Sequence, residues 1–133
     1  MSSVKGDLSN TPIQVDTTMD VVIIKKVDHD IPGGKTLDVT GVTEEVLKAG
    51  RVIIVETSTG AHKPLAIYSG AYAALPSGHT YKGILIATIL TKRPFASVML
   101  AGDVNEGAVI NYDLPAIPAG AKTALTQILF TKD

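Results

Sequence analysis

The sequence predicts an all-β fold: a compact small β-barrel or sandwich of about seven short strands, with one or two short helical turns and an extended N-terminal arm. Three observations predict it. Thr, Val and Ile make up 40 of the 133 residues, and these side chains are stiff at χ1 and pack best on a pleated surface. The 12 glycines and 7 prolines are spread along the chain, as punctuation between short strands. Hydrophobic residues are 45% and charged residues 19%, too apolar a balance for disorder and enough for one modest core.

Residues 1–20 read as an extended arm and residues 21–133 as one β domain. The arm is polar, with Val4, Leu8, Ile13 and Val15 as its apolar anchors. Residues 21–27 (VVIIKKV) are the first dense strand signal, ended by a turn from Asp28-His29-Asp30 into Pro32-Gly33-Gly34. Leu37 and Val39 flank Asp38 in a short alternating piece that stops at Gly41. Residues 43–50 (TEEVLKAG) predict one helical turn, with Thr43 as cap, acidic residues in the first turn and Gly50 closing it. Residues 51–57 (RVIIVET) are a second strand, and Ser58-Thr59-Gly60 turns it back through residues 62–67 as a hairpin.

Residues 69–80 form a loop rich in Gly, Ala and Pro. Residues 83–91 (GILIATILT) are the most apolar strand, and Lys92-Arg93-Pro94 ends it. Residues 95–101 (FASVMLA) return antiparallel, with Ile84, Ile86, Val98 and Leu100 facing inward by the two-residue period of a sheet. A further short strand or two falls within residues 102–110. Residues 117–126 predict a short helix with Pro118 at its first position, and residues 127–131 (QILFT) close the chain as an apolar strand.

The chain carries little that points to catalysis. A formal charge of −1 lacks the basic excess of a protein that binds phosphate backbones, so nucleic acid is not an expected partner. With no cysteine, disulfides, thiolate chemistry and cysteine-ligated metals are excluded. No apolar run approaches the ~20 residues of a membrane helix, and residues 1–20 show no basic segment followed by an apolar one, so neither membrane nor signal peptide is expected. His29, His62 and His79 fall in three separate predicted turns, without the spacing that puts two imidazoles on one metal. Asp28-His29-Asp30 is too short for a cation loop and is interrupted by Pro32-Gly33-Gly34. Pro32-Gly33-Gly34-Lys35-Thr36 ends like a phosphate loop, but His29 stands where the leading glycine belongs, and a strand-like stretch follows instead of a helix. Ser77-Gly78-His79 with Gly102-Asp103 holds the residue types of a triad but lacks a GxSxG elbow. Neither catalytic residues nor cofactors are expected.

One order of motifs is informative. Gly50-Arg51-Val52-Ile53-Ile54-Val55-Glu56-Thr57 leads through a polar turn to Lys63-Pro64-Leu65. Tyr81-Lys82-Gly83-Ile84-Leu85-Ile86-Ala87 follows, then Ala96-Ser97-Val98-Met99-Leu100-Ala101-Gly102-Asp103-Val104, and finally Gly107-Ala108-Val109-Ile110-Asn111 to Leu114-Pro115-Ala116-Ile117-Pro118. Over roughly residues 36–133 this order resembles the capsid decoration proteins and head fibre proteins of tailed bacteriophages. The chain has no coiled coil or fibrous repeat, so it is most similar to a head fibre's capsid-binding base or a compact decoration protein.

The resemblance implies an all-β domain on the outer surface of a virion, bound to the major capsid protein as a homotrimer. An arm can add a strand to a capsid sheet edge through main-chain hydrogen bonds, which assigns capsid contact to Val4, Leu8, Pro12 and Ile13. The small-residue loops suit packing about a three-fold axis, which assigns trimer contact to Tyr72, Leu75, Leu114 and Ile117. The competing expectation is a β module that binds carbohydrate or protein on a phage or bacterial surface. For that reading, Tyr68, Tyr72, Tyr81 and Tyr112 are the main aromatic candidates, with no tryptophan to help.

Overall fold

A computed structural model describes Val15, residues 17–112 and residues 114–132. Strands take 41% and helix 11% of it, so the fold is all-β as the β-branched composition predicts. The sheet does not close into a barrel.

The chain enters through a single helical turn, α1 (Asp20–Ile23), which runs directly into β1 (Ile24–Asp30). The strand expected over residues 21–27 is therefore displaced toward the C-terminus, and Asp28-His29-Asp30 are strand residues rather than a turn. Ile23 explains the helical start, because that turn carries it into the core at 0% exposure. The proposed boundary after residue 20 falls inside α1: Met19 packs against the core, and the Asp20 carboxylate accepts hydrogen bonds from the Thr88 N–H and hydroxyl at 3.0 and 2.8 Å.

The main sheet has six strands. Its path runs from β1 to β11 (Val98–Asn105), β8 (His79–Leu85), β4 (Val52–Glu56) and β5 (His62–Pro64), with β12 (Ile128–Thr131) joined to β11. All neighbours are antiparallel except β12, which lies parallel to β11 from Gly102↔Ile128 to Asn105↔Thr131. A parallel neighbour needs a crossover, and residues 106–127 provide it through a 3₁₀ turn (Val109–Tyr112) and α2 (Ala119–Ala124). Pro118 precedes α2 as its N-cap, one position earlier than expected. β11 thus has β1 along one side and, on the other, β8 at Val98 and Met99 and then β12 from Gly102 onward.

Successive residues of the central strands enter opposite cores. Val52, Ile54, Ile84 and Met99 belong to one hydrophobic cluster, while Ile53, Leu85 and Val98 belong to the other. The first cluster is covered by Leu65, Leu114, Ile117, and Ala121 of α2. The second is covered by Leu37, Leu47 and Ala96, carried on two short ribbons. These ribbons pair β2 (Lys35–Thr36) with β10 (Phe95–Ala96) and β3 (Val46–Leu47) with β9 (Ile89–Leu90). A third ribbon, β6 (Ile67–Tyr68) with β7 (Ala71–Tyr72), flanks the first cluster.

Several sequence expectations change here. Residues 43–50 form no helix: Val46 and Leu47 pair with Leu90 and Ile89, and the Glu45 carbonyl accepts the Thr91 N–H at 3.0 Å. An isolated turn is marginal in water, and burying Leu47 at 0% exposure outweighs local propensity. Residues 83–91 are two strands, β8 and β9, broken at residues 86–88. Ile84 faces the first core with Ile86 packed beside it, but Val98 faces the second and Leu100 is only half-buried. Leu100 is the extra residue of a β-bulge, since one step on β1 (His29 to Asp30) opposes two on β11 (Ala101 to Met99). A bulge breaks the strict alternation on which that facing rests.

Candidate functional site

The main polar feature inside the fold is Arg51, at the start of β4. Gly50 positions it with φ +97°, a conformation glycine tolerates and other residues resist. A Cβ at Gly50 would also meet the Ile23 side chain at 3.0 Å and Val109 at 3.1 Å. The turn sends the Arg51 side chain inward, where the residue is 2% exposed. Nε and Nη2 both donate to the Leu65 carbonyl oxygen, at 2.9 and 2.7 Å. Nη1 donates to Glu44 Oε2 at 2.7 Å. The guanidinium carbon stands 6.0 Å from the centre of the Tyr72 ring, in reach of a cation–π contact.

Tyr72 completes the arrangement. Its hydroxyl accepts the Val52 N–H at 3.2 Å. Burial pushes the phenol up to about 12, with the Val52 N–H and the Arg51 charge pulling the other way. One buried cation therefore fastens three separate segments: the Glu44 loop, the Leu65 carbonyl after β5 and the β7 ribbon.

Two clefts adjoin the pair. One, of about 340 Å³, is lined by Thr43, Val46, Lys48 and Leu114. The other, of about 230 Å³, has Asp38, Thr40, Lys63 and Tyr68 along its walls. Thr43, Glu44, Arg51 and Ile67 border both. Their charges are answered within the chain. Arg51 neutralises Glu44, and Lys63 Nζ meets Glu56 Oε1 at 3.3 Å. The Thr40 hydroxyl and N–H hold the Asp38 carboxyl below its usual range. Such a site offers shape and hydrogen-bonding edges.

The histidines stay apart in role. His29 lies exposed on β1, paired opposite Ala101. His62 is buried in β5, and His79 opens β8 with Nε2 3.2 Å from Lys63 Nζ. Among the described residues no three His, Asp or Glu side chains gather to hold a metal ion. Pro32-Gly33-Gly34 is a tight turn, with the Gly34 N–H donating to the Ile31 carbonyl at 3.0 Å.

The expected contact residues divide. Val4, Leu8, Pro12 and Ile13 lie outside the described residues. Leu114 and Ile117, expected at the trimer contact, are each 6% exposed and belong to the chain's own core. Tyr72 and Leu75 are half-buried and pack against that same core. Their loops look like surface in sequence because they are rich in Gly, Ala and Pro, yet they form the lid of the first cluster. Among the described residues, the most exposed large apolar side chains are elsewhere, on Val21, Tyr68, Phe95, Ile110 and Leu129.

Sequence reasoning missed Arg51. The only local signal is a cation placed between a glycine and an unbroken apolar strand. Its partner Leu65 comes within reach only once the β4–β5 hairpin closes. No family model matches this chain, and no curated protein or solved structure is significantly similar to it.

Proposed function

We propose that this chain is a structural, non-catalytic protein of a tailed-phage virion, seated on the outer surface of the capsid against the major capsid protein as a homotrimer. One observation carries the reading. Of the stretches that resemble decoration and head fibre proteins, four correspond to β4, β5, β8 and β11, which are consecutive neighbours in one sheet, and the last lies in the crossover from β11 to β12. Most of the ordered motifs are therefore the framework of the domain.

Two features support a role exercised through surface contact. The buried polar groups around Arg51 brace the chain's own backbone, and several large apolar side chains remain exposed for a partner to cover. Cyclic closure covers such surface without leaving a growing edge. Because Leu114 and Ile117 are core residues, the trimer contact falls to side chains such as Val21, Phe95, Ile110 or Leu129. The test is co-sedimentation of the purified protein with phage capsids that lack it, with light scattering of the free protein alongside.

A second reading, a carbohydrate- or protein-binding module, is favoured by Tyr68. This residue is 71% exposed at the rim of the Asp38–Lys63 cleft. It stands on a two-residue turn in which Ser69 (φ 54°) and Gly70 (φ 78°) both have positive φ, the geometry of a tight hairpin. Glycan-array binding that disappears in Tyr68→Ala would support it.

A further inference from the structure

His62 opens β5 at the edge of the main sheet and is 8% exposed. Its Nδ1 lies 2.9 Å from the Gly60 carbonyl oxygen. A carbonyl only accepts, so Nδ1 carries the ring's proton and Nε2 is the bare acceptor of a neutral imidazole. Nε2 is buried and has no hydrogen-bond partner among the described residues.

The His62 main chain holds the cover of the second core. Its carbonyl accepts the Asp38 N–H at 2.7 Å, and Leu37 bridges to it in parallel. Leu37, 2% exposed, plugs the second cluster. Residues 35–38 are thus a strap across the sheet edge, fastened at its far side by the Leu37 N–H on the Pro94 carbonyl at 2.7 Å.

The charges around the ring all discourage a proton. Lys35 on the strap and Lys82 on β8 oppose a cation there. Lys63, next on β5, is a third cation, its ammonium directed at Glu56 and His79. Among nearby carboxylates, Asp38 accepts from Thr40 and Glu56 from Lys63 and Thr59. Burial, more than these charges, holds the imidazole below its ordinary value, against the favourable bond to Gly60.

We propose that His62 is an acid-sensitive latch. Protonating Nε2 puts a charge into a buried site without an acceptor, and the strap of residues 35–38 then lifts from β5 and bares the second core. The sign is fixed: the latch is closed while the ring is neutral, above the usual histidine range, and opens as pH falls below it. His79 is the contrast. Its Nδ1 is likewise 3.0 Å from a carbonyl, that of Ser77, but its Nε2 has a partner, Lys63 Nζ at 3.2 Å, and the residue is only half-buried. This inference is independent of the capsid reading.

Hydrogen exchange on the full chain tests it, comparing the Leu37 and Asp38 amides at about pH 7.5 and about pH 5 after correction for intrinsic rates. Protection of both amides falls about tenfold or more on acidification, and His79→Gln leaves that fall intact. His62→Asn keeps a donor for the Gly60 carbonyl and removes the titrating nitrogen, so it abolishes the fall. If that variant does not fold, NMR titration of the wild-type ring decides instead, with His62 protonating below the ordinary histidine range. Unchanged strap protection at low pH, an undiminished fall in His62→Asn, or a ring that titrates at or above the ordinary value would overturn the latch.

Discussion

Replacing Arg51 by alanine is the sharpest test of how the fold is braced. The truncation strands the Leu65 carbonyl, which accepts two of the three Arg51 hydrogen bonds and belongs to a residue 0% exposed. A buried acceptor left unsatisfied costs about 1–3 kcal/mol. Loss of the guanidinium beside Tyr72 adds about 0.5–2 kcal/mol. The freed Glu44 contributes little, because its side chain is 37% exposed and exposed pairs are worth about 0–1 kcal/mol. The total is about 1.5–6 kcal/mol, which brackets the ~3–5 kcal/mol of breaking a buried pair from its buried side. Against the ~5–15 kcal/mol that holds a domain together, that is a severe loss. Glu44→Gln removes only the exposed partner and costs about 1 kcal/mol or less. Urea denaturation followed by circular dichroism at neutral pH measures both. An Arg51→Ala loss under about 1 kcal/mol, or a Glu44→Gln loss as large as that of Arg51→Ala, would refute the view that the Leu65 carbonyl is the anchor.

Three further outcomes follow from the packing. A Cβ at Gly83 would collide with the Met99 carbonyl oxygen and press on Val98, where β8 meets β11; Gly83→Ala therefore lowers stability by more than about 2 kcal/mol in the same denaturation assay. Ile84→Ala, from full burial, costs about 2–5 kcal/mol, whereas Leu100→Ala, at the half-buried bulge, costs clearly less; equal losses would mean that the bulge does not turn Leu100 outward. The Tyr72 phenol, pushed up to about 12, ionises more readily in the unfolded chain, where its pKa is about 10. Stability that is complete below about pH 10 is thus lost as pH rises toward 12, a decline that Tyr72→Phe removes.

Much of the sheet is legible in the sequence. The strand expected over residues 51–57 becomes β4, the one expected over residues 95–101 becomes β10 and the start of β11, which runs on unbroken to Asn105, and the Ser58-Thr59-Gly60 turn closes the expected hairpin. The failures have physical causes. Residues 43–50 carry helix caps and helix formers, yet Leu47 gains more from the second core than a lone turn gains from its caps. Residues 21–23 are as β-branched as any strand, but a helical turn is what brings Ile23 against Gly50. The apolar run at residues 83–91 conceals its break, because Thr88 looks like a strand residue and serves instead as a bracket: its hydroxyl donates to Asp20 and accepts from the Ala49 N–H. The burial of Arg51, Leu114 and Ile117 is not legible in the sequence, because their surroundings come from residues distant along the chain, which periodicity does not report.

The central claim, attachment to a capsid through surface contacts, is tested most directly by co-sedimentation. Capsids of the phage assembled without this protein are mixed with the purified chain and pelleted, and the bound fraction is measured as the chain is titrated. The account predicts saturable binding at a fixed number of copies per capsid, in multiples of three, unaffected by Glu44→Gln. A chain that stays in the supernatant at every concentration, or that pellets without saturating, would contradict it.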